Sequence, residues 1–96
     1  MDSQPKVFDI EIKMLGGQGT CTAGHSEGET FLVRGDSERF TADGLCIHAL
    51  YSMISKIIAM RYGASFPWAK DNPDVVTHAC PDASNPHTFQ LRRIRG

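Results

Sequence analysis

The spacing of apolar positions along the chain predicts four short strands and one helix. Residues 6–14 alternate between apolar and polar side chains, which is typical of a strand buried on one face. That buried face carries Phe8, Ile10, Ile12 and Met14. The glycines at 16, 17 and 19 are expected to end this strand in a loop, and residues 29–33 and 75–79 are predicted as further strands. In the last predicted strand, Phe89, Leu91 and Arg93 alternate less cleanly with Gln90, Arg92 and Ile94.

Residues 43–62 carry the one clear helical pattern. Its apolar stripe consists of Cys46, Leu50, Met53, Ile54, Ile57 and Met60. Asp43 is expected to cap the start of the helix, and Gly63 is expected to end it. A second, mildly polar face is compatible with being covered as well; it carries His48, Ser52, Ser55 and Ala59. Together these elements predict a small α+β domain with an antiparallel or mixed sheet, in the order β-β-α-β-β, packed against one main helix.

Composition narrows the class of protein without indicating a function. The 96 residues (10.6 kDa) are expected to form a single domain over 1–96, and 41% apolar with 22% charged residues is typical of a globular chain. Ten Lys and Arg against eleven Asp and Glu give a net charge of −1, which argues against a nucleic-acid partner. The longest purely apolar stretch, residues 57–60, is too short to cross a bilayer, and no secretion signal is recognisable, so we expect a cytoplasmic protein without a membrane partner.

The three cysteines are the main chemical clue. An odd number argues against a secreted disulfide scaffold, and in a reducing cytoplasm grouped Cys and His residues indicate metal binding or reactivity. No CxxC pair is present, so a shared site would have to be assembled by the fold. Cys21 and His25 are four residues apart in the glycine loop, a spacing that allows both to bind one zinc ion. The alternative is a packed thiol beside a solvated imidazole.

Cys46 and Cys80 are the two further thiol candidates. Cys46 lies at the predicted helix start, where free N–H groups favour a nucleophile or a metal ligand, but it also begins the apolar stripe. His48, two residues later, points about 200° around a regular helix, so it can share a site with Cys46 only if Cys46 lies on the turn that enters the helix. Cys80 ends the third predicted strand, and Asp82 after Pro81 either orients a histidine or stabilises a turn.

Two other clusters are given structural interpretations. The aromatic residues after the helix, Tyr62, Phe66 and Trp68, are expected to pack over the core. The arginines near the end, Arg92, Arg93 and Arg95, are expected to lie on a solvated edge strand.

Four ordered motifs then indicate a family. They are Cys21-x-x-x-His25-x-x-Gly28-Glu29, Gly44-Leu45-Cys46-x-His48-Ala49, Arg61-Tyr62-Gly63-x-x-Phe66-Pro67-Trp68 and Ala79-Cys80-Pro81-Asp82. Together they resemble an uncharacterised family of small Cys/His-containing domains, found singly or in tandem in bacteria and archaea, many of them anaerobic. The family pattern usually has Pro between its middle Cys and His, where this chain has Ile47. The resemblance implies that Cys21, His25, Cys46, His48 and Cys80 form a recurring set, and it implies no particular activity.

Three hypotheses follow. The first is a zinc- or iron-binding domain with Cys21, His25, Cys46 and Cys80 as ligands, and with His48 and Asp82 behind them. The second is a small interaction module that associates with itself or with another protein. The third is a thiol-based enzyme with Cys46 or Cys80 as its nucleophile and with His48 and Asp82 as candidate acid–base groups.

Overall fold

The chain folds into a four-stranded antiparallel sheet with one helix packed on one face. The structure is a computed structural model that describes residues 7–17, 27–36, 39, 42–69, 71–80 and 87–95. Its elements are β1 (Asp9–Gly17), β2 (Thr30–Val33), α1 (Ile47–Arg61), β3 (Val75–Ala79) and β4 (His87–Ile94). In the sheet the strands lie in the order β2-β1-β4-β3, and every neighbouring pair is antiparallel. The predicted α+β class with one helix is therefore confirmed, and the sheet is antiparallel rather than mixed.

Alternation along the strands separates a buried face from an open one. The strand residues turned toward the helix form the core with one side of α1, and the residues between them are half-buried or exposed. The core strand residues include Ile10, Ile12, Met14, Phe31, Val33, Val76, Phe89 and Leu91. β1 and β4 lie in the middle of the sheet, so each pairs on both sides. Burial of this apolar face is the main stabilising contribution to the fold.

α1 is shorter at its start than the periodicity predicts. Gly44 has a φ of +90°, a conformation that no α-helix contains, and Leu45 N–H donates to the carbonyl of Ala42 across a turn. The helix therefore begins after this turn, with Cys46 as the N-cap, and the prediction of Asp43 as the cap was wrong.

The predicted end of the helix is confirmed. Gly63 has a φ of +89°, its N–H donates to the carbonyl of Met60 (3.1 Å), and Ala64 N–H donates to that of Ala59 (3.0 Å). This pair of bonds is the Schellman motif, which satisfies carbonyls at the helix end and requires a residue that tolerates positive φ.

β1 continues further than predicted. The expected break at Gly16 and Gly17 is instead a bulge, because the register with β4 shifts between Met14 and Gly16 and pairing then resumes to His87. Gly16 has a φ of +124°, which allows the strand to bend without losing its partner.

Arg93 and two of the three aromatic residues, Tyr62 and Trp68, also differ from expectation, while Phe66 packs against the core as predicted. β4 is a central strand, and the Arg93 side chain is fully buried, so the interpretation of Arg92, Arg93 and Arg95 as a solvated edge was wrong for Arg93. Phe66 and Trp68 stack with ring centres 4.8 Å apart, but Trp68 remains 64% exposed and does not cover the core. No helix in the described part of the chain is long and apolar enough to span a membrane.

Candidate functional site

Cys46 and Cys80 both pack against the common core, and the course of α1 indicates that both lie toward the same end of the sheet. Cys80 directly follows β3, and its N–H donates to the carbonyl of His87, the first residue of β4 (2.7 Å). At the opposite end, the last helical residue, Arg61, accepts a hydrogen bond from the N–H of Phe8 just before β1 (2.9 Å). Since the helix ends beside the start of β1, the Cys46 N-cap lies toward the other end of the sheet, where β3 finishes. We call this the cysteine end.

Both thiols are half-buried against the common core. Cys46 and Cys80 pack on the buried cluster formed by the sheet and the inner side of α1, and neither is in a disulfide. Cys46 has extended backbone angles (φ −56°, ψ 133°) and makes no side-chain capping hydrogen bond to the first turn. Its position at a helix N-terminus places the side chain beside the free N–H groups of the first turn.

Residues 18–26 and 81–86, which contain the other candidate ligands, are both attached to the described structure at the cysteine end. Gly17 pairs with His87, and Gly28 N–H donates to the carbonyl of Met14 (2.8 Å), so residues 17 and 27 both lie at the cysteine end. Residues 80 and 87 border the other segment there. Cys21, His25 and Asp82 fall within these two segments and lie outside the described residues.

His48 lies on a different side of the helix from Cys46. His48 is exposed in the first turn of α1, whereas Cys46 precedes the helix as its N-cap and packs against the core. The structure therefore does not bring the His48 imidazole and the Cys46 thiol to one side of α1.

His87 is a residue at the cysteine end that the sequence did not single out. It is only 8% exposed and has the same orientation as the core residues Phe89 and Leu91, because all three occupy alternate positions of β4. Its place at the start of the strand, next to Cys80, makes it a further candidate ligand. The alternation that identified Phe89 and Leu91 would have found it if extended backward by one step.

A second polar cluster joins α1 to the edge strand β3. The imidazole of His78 has its Nε2 2.8 Å from the Ser52 hydroxyl and its Nδ1 3.0 Å from the Lys56 ammonium, which also donates to the Thr77 carbonyl (3.2 Å). Burial, together with the charge of Lys56, lowers the pKa of His78 below 6.5. His78 and Val76 share a face of β3, so strand alternation is the signal that could have placed this histidine next to the helix.

The hydrogen-bond directions show that this cluster is not arranged as a Ser–His nucleophile. Lys56 has only protons to offer, so Nδ1 of a neutral His78 accepts and Nε2 carries the proton. Nε2–H then donates to Ser52, whose own hydroxyl donates to the carbonyl of Ala49 (2.9 Å). A histidine in this tautomer has no free acceptor for the serine proton. The cluster therefore fastens the helix to the edge strand.

The described residues alone do not complete a metal site. Within ranges 7–17, 27–36, 42–69, 71–80 and 87–95, no three His, Cys, Asp or Glu side chains come together as ligands. Any complete set therefore requires at least one residue from the segments outside these ranges.

Comparisons of the chain with protein-family models, with curated proteins and with solved structures found no match. The resemblance to the small Cys/His family stays a prediction, and the function has to be argued from the site itself.

Proposed function

We propose that this chain is a metal-binding domain in which Cys21, His25, Cys46 and Cys80 hold one zinc or iron ion in a reducing compartment such as the cytoplasm. One observation supports the proposal. Cys80 and both attachment points of residues 18–26 border the same end of the sheet, and α1 runs so that its Cys46 N-cap is directed to that end. A shared site there would join three cysteines that are 25 and 34 residues apart in the chain.

Chain length supports the participation of Cys21 and His25. Cys21 follows Gly17 by four residues, which span at most about 14 Å. Three strand spacings of about 4.8 Å give a four-stranded sheet a similar width, so Cys21 has the reach to meet either thiol. His25 precedes Glu27 by two residues, so its distance from the end of the described structure is limited even more tightly.

The donor set suits a closed structural site. Three thiolates and one imidazole form a tetrahedral set for zinc, and thiolates also bind iron. Such an ion would cross-link the β1–β2 connection, the start of α1 and the end of β3. A domain of 96 residues has a modest core, so a cross-link between three elements would add substantially to its stability.

The first test is a set of ligand substitutions. Cys21→Ser, Cys46→Ser and Cys80→Ser are each expected to lower the bound metal by more than half and the melting temperature by about 10 °C or more, because each removes a ligand whose binding stabilises the fold. Metal content is measured by mass spectrometry of protein purified without a metal-affinity tag, and melting by circular dichroism.

Leu50→Ala is the matched control for lost packing. Leu50 packs half-buried against the same core as Cys46, and its N–H donates to the Cys46 carbonyl (2.9 Å), but its side chain offers no ligand. The variant is expected to melt earlier than the wild type and to keep its metal. If the three cysteine variants also keep full metal, or if all three melt like the wild type, the shared site is wrong.

The fourth ligand is tested separately. His25→Ala is expected to lower metal content, while His87→Ala is expected to lower stability and retain the ion. The opposite pattern would assign the fourth position to the buried His87. Loss of metal in neither variant would contradict a histidine ligand.

The same preparations distinguish the alternative of a thiol-based enzyme. Metal-free protein in which one thiol, Cys46 or Cys80, reacts with a thiol probe much faster than the others would favour a nucleophile. A metal site predicts instead that all three thiols are protected until the metal is removed or the chain unfolds.

A further inference from the structure

The side of α1 that faces away from the sheet is unusually apolar. Its exposed residues are Ile47, His48, Tyr51, Ile54, Ser55, Ile58 and the C-cap residue Tyr62. We call this set the outer face. Exposure reaches 72% at Ile47, 82% at Tyr51 and 47% at Ile58, and none of the seven residues is Lys, Arg, Asp or Glu. The solvent side of a surface helix normally carries charged residues, so an exposed apolar stripe of this kind indicates a contact surface.

The two cations of the helix make their hydrogen bonds on the sheet side of the molecule. Lys56 donates to the Thr77 carbonyl and contacts His78 on β3. Arg61 donates to the carbonyl of Gly35, next to β2 (3.1 Å). The Arg61 guanidinium also lies 5.7 Å from the ring centre of Tyr62, so its charge reaches the C-terminal end of the outer face. From Ile47 to Ile58 the outer face carries no Lys, Arg, Asp or Glu.

We infer that the outer face is the interface between two copies of this chain, with the two α1 helices packed antiparallel. The apolar positions 47, 51, 54 and 58 follow the alternating four- and three-residue spacing of helices that pack along a seam, and Tyr62 continues the stripe one turn further. In an antiparallel pair centred beside Ile54, Ile47 of one copy lies opposite Tyr62 of the other, and Tyr51 lies opposite Ile58. Four of the five stripe positions thus meet another stripe position, and Ile54 meets Ser55 beside the two-fold axis, which is compatible with a two-fold interface.

The charge of the stripe is compatible with a second copy. Two uncharged stripes meet without like-charge repulsion. The antiparallel arrangement also places the positive end of each helix dipole beside the negative end of the other.

The available area is sufficient for a reversible dimer. With 150–250 Å² for a fully exposed aromatic side chain, the five apolar residues of the stripe expose on the order of 500 Å². Two copies would then bury roughly 1,000 Å², which is at the lower end of specific interfaces. We therefore expect a dissociation constant on the order of 1–100 μM.

Sedimentation velocity across a range of protein concentrations tests this interface. The wild-type chain is expected to convert from monomer to dimer as concentration rises. Ile54→Lys places a charge in the centre of the seam and is expected to weaken the dimer more than ~30-fold. Tyr51→Glu serves as a second variant that spares the core, because Tyr51 is 82% exposed. A wild-type chain that stays monomeric at all concentrations overturns the inference.

Leu32→Lys is the matched control. Leu32 lies on the open face of the sheet and is 40% exposed, against 39% for Ile54, so the two substitutions remove equally exposed apolar side chains. Leu32→Lys is expected to dimerise like the wild type. If it abolishes the dimer while Ile54→Lys does not, the interface lies on the sheet and the inference is wrong.

A charge pair tests the direction of the helices. Tyr51→Lys combined with Ile58→Glu in one chain pairs opposite charges twice in an antiparallel dimer, and like charges in a parallel one. The double variant is expected to dimerise at least tenfold more tightly than Tyr51→Lys alone. Equal or weaker association of the double variant would contradict the antiparallel arrangement.

Discussion

Arg93 is a charged side chain that lies beneath the end of the helix. Its guanidinium donates to the carbonyls of Met60 (3.0 Å), Ala64 (2.8 Å) and Pro73 (2.9 Å) and to the carboxylate of Asp74 (2.9 Å). The alternation Phe89-Leu91-Arg93 already placed it on the buried face, whereas its charge suggested solvent. The buried charge is tolerated because it donates to acceptors that lie 19 to 33 residues away in the chain. No local sequence pattern reveals these acceptors.

Replacement of Arg93 tests its contribution to stability. Arg93→Met leaves several buried acceptors without a donor and is expected to lower the free energy of unfolding by about 3–5 kcal/mol. Arg92→Met is the control, since Arg92 lies on the open face and reaches Glu11 only at 3.4 Å. It is expected to cost less than about 1 kcal/mol in urea denaturation. Equal losses would mean that the burial of Arg93 contributes nothing specific.

Asp74 links this arginine to the acid stability of the fold. The hydrogen bond from Arg95, together with that from Arg93, lowers the pKa of Asp74 below its ordinary value of 3.8. A carboxylate with a lowered pKa stabilises the folded state above pH 3.8, and this stabilisation is lost as the pH falls below that value.

We therefore expect the effect of Asp74→Asn to depend on pH. The variant should unfold at lower urea concentration than the wild type at pH 6, and the difference between the two midpoints should shrink as pH falls from 4 toward 2, because the wild-type carboxylate becomes protonated. A difference that stays constant over this range would show that the charge of Asp74 does not matter.

At the scale of the elements, the sequence predicts a boundary correctly where neighbouring residues determine it. Strand β3 has the predicted bounds, and Gly63 ends α1 because the turn there requires positive φ. The predicted start of the helix is wrong because it relies on Asp43, whose residue type favours the N-cap position. The positive φ of Gly44 next to it prevents helix formation there. The predicted buried stripe includes Ile54, which is 39% exposed. Each residue rotates about 100° around the helix, so Ile54 points away from the sheet when its neighbour Met53 points toward it.

The order of the strands could not be read from their sequences. Alternation identifies which face of each strand is buried, but β1 and β4, which pair along eight positions, are separated by most of the chain. The helical connection between β2 and β3 is compatible with several orders of the strands in the sheet, and local sequence patterns do not distinguish them. The position of His78 beside Ser52 and Lys56 depends on this order as well, which explains why the cluster was not found in advance.

At the scale of the whole molecule, the proposed site depends on residue types that the sequence shows and on an arrangement that only the fold can provide. Cys46 and Cys80 were recognisable by type, yet nothing in their separation of 34 residues indicates that a helix start and a strand end lie at the same end of one sheet. His87 was missed because its strand was expected to begin later. The antiparallel arrangement of β3 with β4, and of α1 with β1, is what makes a shared site at the cysteine end feasible.

The most direct test of the proposed site is the metal content of the native protein. The number of reactive thiols is counted on the same sample. Protein purified anaerobically without an affinity tag is analysed for zinc and iron, and thiols are counted before and after denaturation with a chelator. The account predicts close to one ion per chain and three thiols that react only after unfolding. A metal-free native protein whose three thiols react at once would contradict it.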